Sequence, residues 1–172
     1  IFEQSFVIVY PATSEKDLFS MKCWTIRRGI REDIMSITDF QVAMAWETEE
    51  FTLDRNTVIA GVTAVFDDPS KGRYWIAEGE GEVLGSLLTL PEWSDWRNGD
   101  VWWIHSVYIS PSFRKQGVFR AMYAHLQQEV KNIPTARGLR LYVDKRNKIA
   151  QSVYHSLGMN DEHYSLYEWM PS

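Results

Sequence analysis

Arg114-Lys115-Gln116-Gly117-Val118-Phe119-Arg120 sets three cations and a glycine in one short stretch. An apolar, β-rich run through Val107, Tyr108 and Ile109 precedes it and stops at Pro111, and a helical pattern follows. A strand, a basic loop and a helix in that order present backbone N–H groups to an anion. The first N–H groups of a helix have no intrahelical acceptor, and the macrodipole adds partial positive charge there. Arg114, Lys115 and Arg120 would add full charges, so a phosphate-bearing ligand suits the loop. Taken alone, the loop is equally consistent with an ordinary turn bearing a solvated basic rim.

A second constellation follows about thirty residues later. Asn147, Ala150 and Tyr154 stand at i, i+3 and i+7, the spacing of one helical face, and Gly158 stops the pattern like a left-handed cap. By itself it reads as a short amphipathic helix with a packed tyrosine.

The elements that must position these residues follow from periodicity. Strands are expected at Cys23–Arg28, Tyr74–Ala77, Val83–Leu90, Val101–Ile109, Leu139–Val143 and Tyr164–Met170. Helices are expected from Asp33 to about Trp46, from Asp54 to Phe66, from Val118 to about Asn132 and from Lys148 to Leu157. A brief helix over Glu15–Ser20, a bulge at Gly85 and an aromatic loop from Pro91 to Asp100 complete the pattern. The order β-α-α-β-β-β-α-β-α-β makes an α/β (α+β) fold, a mixed sheet flanked by helices. Residues 1–20 read as an extension or a processed start, ahead of a single domain over 21–172.

Composition narrows the class. The 172 residues are 45% hydrophobic and 24% charged, which is ordinary globular chemistry with material for a real core. A net charge of −5 disfavours non-specific nucleic-acid binding. No apolar stretch approaches a membrane span, and no secretory signal opens the chain. The single cysteine, Cys23, reads as packing beside Trp24, and no Cys/His cluster has zinc-ligand spacing, so a reducing cytoplasm fits.

Together, the loop, the second constellation and the element order resemble the GNAT superfamily of acyl-CoA-dependent N-acyltransferases. That family's Arg/Gln-x-x-Gly-x-Gly/Ala signature is met by Arg114 and Gly117, with Phe119 replacing the last small residue. Its Asn-x-x-Ala-x-x-x-Tyr-x-x-x-Gly-Met/Phe segment is met by Asn147, Ala150, Tyr154, Gly158 and Met159. The likeness spans roughly Cys23 to Met170 and implies a mostly antiparallel sheet. It also implies acetyl-CoA as acyl donor, with pantetheine along Val107–Ile109 and pyrophosphate on the N–H groups of Lys115 through Arg120. Phe119 supplies a backbone donor as well as glycine does, so it changes the shape of the loop and leaves the site.

The same resemblance gives Tyr154 the role of general acid to the departing thiolate, or of a hydroxyl that orients the thioester. His105, expected on the strand face of Trp103 and Val107, is a candidate base for the attacking amine or a packed strand histidine. Glu78, Glu80, Glu82 and Glu92 are alternative bases or a solvated acidic turn. Trp46 with Glu47, Glu49 and Glu50, and Trp93 and Trp96 with Asp95 and Asp100, are candidate acceptor walls. There, aromatic faces beside carboxylates would receive an ammonium group. The expected activity is N-acetylation of a small-molecule or peptide amine in a ternary complex, with a homodimer left open. The alternatives are a protein N-acetyltransferase and a non-catalytic acyl-CoA-binding regulator.

Overall fold

A computed structural model of the chain describes residues 6–8, 24–79 and 81–169. It divides into two compact units, residues 1–140 and 141–172. The expected Glu15–Ser20 helix and Cys23 lie outside the described residues.

The first unit is built on a six-stranded sheet in sequential order: β1 Phe6–Ile8, β2 Trp24–Arg28, β3 Arg73–Gly79, β4 Glu82–Ser94, β5 Gly99–Ile109 and β6 Ala136–Arg140. All neighbours are antiparallel except β5 and β6, which run parallel. Helices α1 (Ile34–Glu49) and α2 (Arg55–Asp67) join β2 to β3, and α3 (Val118–Asn132) joins β5 to β6.

β3 explains the layering. Tyr74 and Ile76 are buried in one cluster with Ile37 of α1 and Val62 of α2. Trp75, one residue out of phase, turns to the opposite face against Trp102 and against His125 of α3, at 6.3 and 5.3 Å between ring centroids. A strand covered on both faces reads as a continuous apolar run, as Tyr74–Ala77 does. α3 answers with Val118, Ala121, Met122 and Leu126, all buried at helical spacing. Asp54 caps α2 as expected, accepting from the Thr57 N–H at 2.9 Å.

Several elements differ from the sequence reading. Asp33 stands at the start of α1, but its carboxylate does not cap that helix. It accepts instead from Arg27 Nη1 and Nη2 at 2.7 and 2.9 Å and from the Ile30 N–H at 2.8 Å. A buried carboxylate needs a charged partner more than a helix needs its cap. The expected Pro91–Asp100 loop is a continuation of the β4–β5 hairpin, paired as far as Ser94↔Gly99. The strand expected at Leu139–Val143 runs over Ala136–Arg140. The expected closing strand is not formed over residues 164–169, where Tyr164, Leu166, Tyr167 and Trp169 are exposed.

Burial holds the pKa of both His125 and His105 below the ordinary histidine value of 6.5. Below that pH the unfolded chain takes up protons that the folded chain refuses, so stability falls as pH falls. The urea midpoint should therefore be lower at pH 5.5 than at pH 7.5, and His125→Asn should make the difference smaller.

Candidate active site

The site begins with a defect in β5. Leu88 pairs with His105 and Ser86 with Tyr108, so Ser106 and Val107 together oppose Leu87. Ser106 carries φ +50, the left-handed conformation that lets one strand accommodate an extra residue. The bulge also changes which way side chains point. Ser86 and Leu88 share a face, so His105 and Tyr108 share it too, three residues apart. The expectation that His105 faces with Val107 is thereby corrected: the extra residue inverts the alternation. His105 lies on the face covered by α1, where Phe40 packs on Tyr108 at 5.1 Å between centroids.

The edge of β5 diverges just before the bulge. Pairing with β6 ends at Trp103↔Arg140, and among the described residues no further strand pairs that edge from Ile104 to Ile109. On the other edge, Gly85 lets the chains close up. A Cβ there would meet the Tyr108 carbonyl oxygen at 2.6 Å and Ile109 Cδ1 at 2.5 Å. The expected bulge at Gly85 is displaced by one residue, since Ala77 pairs with Gly85 and Glu78 with Val83, leaving Leu84 over.

Beyond β5 the chain turns through Pro111–Phe113 into the basic loop. Lys115 has φ +60 and Gly117, the residue that opens α3, has φ +88. Helical bonding starts with the Ala121 N–H to the Gly117 carbonyl at 3.0 Å, so the N–H groups of Val118 to Arg120 occupy the first turn. Nothing lies within 4 Å of where a Gly117 Cβ would stand. The result is a set of first-turn N–H donors at a helix start with exposed Lys115 and Arg120 beside it. The large residue of the signature does not obstruct it: Phe119 is helical, and its ring lies 6.3 Å from Tyr123 along α3.

Arg114 departs from the expected arrangement. Its side chain donates from Nε to the Ile109 carbonyl at 2.8 Å and from Nη2 to Glu47 Oε2 at 2.7 Å, and the guanidinium lies 5.2 Å from the Tyr108 ring centroid. Glu47 Oε1 accepts from the Tyr108 hydroxyl at 2.8 Å. The Tyr108 hydroxyl foremost, and Arg114 with it, holds the Glu47 carboxyl below its ordinary range. Arg114 thus binds the end of β5 to the end of α1. Sequence reasoning placed Glu47 only among possible wall residues; no local signal pairs residues 67 positions apart.

Two of the other acidic candidates have structural partners, and Glu80 lies outside the described residues. Glu78 accepts from Arg27 Nε at 2.7 Å, and Glu92 accepts from Trp103 Nε1 and from Arg140 at 2.5 and 2.8 Å. Trp93 and Trp96 stand by the hairpin tip, with Trp93 opposite Asp100. At about 3.4 Å per residue, that register lies roughly 30 Å along β5 from Ile109. The structure therefore does not bring these two tryptophans to the loop. Trp46, exposed and adjacent to Glu47, is on the helix that reaches it.

In the second unit, α4 (Lys148–Ser156) is closed at both ends. Asn147 Oδ1 accepts from the Ala150 N–H at 3.0 Å, so this asparagine is the N-cap. The Gly158 N–H reaches His155 O at 3.0 Å and the Met159 N–H reaches Tyr154 O at 3.1 Å, a complete Schellman ending. Burial raises the Tyr154 phenol above its ordinary pKa of 10.0, so it carries its proton at neutral pH.

The acetyltransferase (GNAT) family model matches residues 31–159. The chain belongs to the GNAT family. A possible acetyltransferase from Clostridium difficile 630 superimposes with a TM-score of 0.81 at 34% identity, over 87% of this chain and 98% of that one. The aminoglycoside N-acetyltransferase AAC(6')-Iy in complex with CoA shares the fold at 16% identity, with a TM-score of 0.71, over 87% and 95% of the two chains. The same enzyme with a bisubstrate analogue, CoA-S-monomethyl-acetylneamine, gives 0.70 at 16% identity, over 87% and 99%. No curated protein matches the chain.

Because Gly117 is left-handed with open space around it, Gly117→Ala meets strain without a clash. It should lower stability by roughly 1–2 kcal/mol, read from denaturant unfolding.

Proposed function

We propose that the protein transfers an acetyl group from acetyl-CoA to a primary amine of a small molecule or peptide, by direct attack in a ternary complex. The observation that carries the reading is the loop. Lys115 and Gly117 are left-handed just ahead of α3, the first-turn N–H groups of Val118 to Arg120 follow them, and exposed Lys115 and Arg120 flank the helix start. That chemistry fits a pyrophosphate. The N–H groups from Lys115 to Arg120 would hold it, and the diverged edge of β5 from Val107 to Ile109 would hold the pantetheine amides. Bound acetyl-CoA supplies the activated acyl group.

The remaining work falls to side chains. Tyr154, protonated at neutral pH, is the proton donor to the leaving sulfur, and α4, with Asn147 and Ala150 at its start, carries it. His105 is the candidate proton acceptor. Burial lowers its pKa, so its imidazole is neutral at pH 7 and able to take a proton from the amine, directly or through water. Trp46 is the candidate acceptor wall that this reading retains. Glu78 and Glu92 are less suited to base work, because each already neutralises an arginine.

Acetyl-CoA at about a hundred times its Kd should stabilise the protein by ~2.7 kcal/mol, visible as a rise in Tm. Gly117→Asp should weaken that effect by adding a negative charge to the loop. No thermal shift with millimolar acetyl-CoA would exclude the reading. For the chemistry, Tyr154→Phe should leave CoA affinity unchanged and reduce kcat and kcat/KM alike by at least about tenfold, since general acid catalysis is worth roughly 10²–10⁴-fold. Equal kcat would remove Tyr154 from the mechanism.

The pH profile tests the base. With His105 in that role, kcat/KM rises through an apparent pKa below 6.5 and is flat above it. His105→Ala should abolish that limb; its persistence would place the base elsewhere.

A further inference from the structure

We infer that Glu47 is a positioning residue for the acyl donor, holding the anion-receiving loop in its binding shape through Arg114. The inference rests on the reading of that loop as the acyl-CoA site. Arg114 immediately precedes Lys115, and Lys115 is a non-glycine residue at φ +60. A backbone in that region persists when its surroundings over-determine it.

Besides the bond from Gln116 Nε2 to the Ser112 carbonyl at 2.6 Å, the loop is tied down by the Arg114 guanidinium. Nε is fixed to the Ile109 carbonyl at the end of β5, Nη2 to Glu47 on α1, and the guanidinium lies over the Tyr108 ring. Glu47 in turn takes its second bond from the Tyr108 hydroxyl. Two planar groups are thus aligned by bonds on both sides, a geometry that fixes direction as well as charge. Without Glu47, Arg114 keeps one side-chain hydrogen bond, to Ile109, and its place over the Tyr108 ring, but loses the bond that directs its charged end away from the loop. A ligand would then have to order the arginine as well as itself, which weakens binding and leaves the chemical step alone.

Other roles suit Glu47 poorly. Its charge is already matched by Arg114 at 2.7 Å, so it is a weak anchor for an ammonium group. Both carboxylate oxygens accept from a neighbour, so it is a weak proton acceptor for the reaction.

The test is a double-mutant cycle on CoA affinity, measured by calorimetry on the full chain. Glu47→Gln preserves size and an acceptor for Tyr108 but removes the charge pair. It should raise the Kd for CoA about fivefold and raise the KM for acetyl-CoA similarly, with kcat at saturating donor unchanged. In an Arg114→Ala background the same substitution should have no effect on Kd. An unchanged Kd in Glu47→Gln, or a rise that persists without Arg114, would overturn the inference. A fall in kcat without a change in Kd would do the same. If the unsubstituted protein does not bind CoA, the acyl-CoA reading fails and this inference with it; binding by the unsubstituted protein together with a null cycle defeats this inference alone.

Discussion

The extra residue in β5 is the constraint on which the rest of the site depends. A strand paired on both edges has its N–H and C=O groups committed to its neighbours and can offer none to a ligand. Here β5 keeps β4 along its whole length but loses β6 after Trp103, and the bulge at Ser106 and Val107 follows within three residues. The bend and the loss of pairing together leave the C-terminal half of β5, among the described residues, with a strand on one edge. They also turn Tyr108 onto the α1 face, where its hydroxyl reaches Glu47. Without the extra residue, alternation would set Val107 on that face in its place, and the bond between α1 and β5 would be lost.

Backbone conformation outside the favourable regions is concentrated here. Ser106 and Lys115 are two of the four non-glycine residues with positive φ among the described residues, and both flank the end of β5. Each costs roughly 1–3 kcal/mol. The surrounding structure offsets that cost with buried area: β5 contributes Val101, Trp102, Ile104 and Tyr108 to the core, and α3 begins with fully buried Val118. Two left-handed residues are thus held between two well-packed elements. That pattern belongs to a site whose geometry is fixed before the ligand arrives.

The sequence made some of this legible and concealed the rest. α3 is legible from its first residue to about its last because Val118, Met122, Leu126 and Val130 recur with the helical period and Gly117 marks the start. The capping Asp54 and the Gly158 ending are local signals and survive for the same reason. The bulge leaves no such mark, since nothing in His105-Ser106-Val107-Tyr108 says that one residue is surplus; the register is set by β4. The error propagates, and the facing assigned to His105 inverts with it. Arg27 and Arg114 illustrate the second limit. Nothing in the sequence pairs Arg27 with Glu78 or Arg114 with Glu47, each a carboxylate far along the chain. The hairpin tip shows a third. Trp93 and Trp96 look like a substrate wall by composition, but register places them at the far end of β5 from the loop.

α1 is held by an arginine at each end, and this decides which part of it can serve the site. At its start Arg27 of β2 grips Asp33, and at its end Arg114 grips Glu47. With a rise of 1.5 Å per residue, the two carboxylates are about 21 Å apart along the axis, so the helix is a strut laid from β2 to β5. Between the anchors its inner face is packed, with Ile37 and Thr38 fully buried and Phe40 on Tyr108. The last turn is different: Trp46 is exposed beside Glu47, and the chain leaves the helix through left-handed Glu50. A molecule bound against that turn would rest on the element that fixes Arg114, and through it the loop. Acceptor and donor sites would then share one rigid support, so a change in α1 that alters the acceptor wall should also be felt in the affinity for CoA.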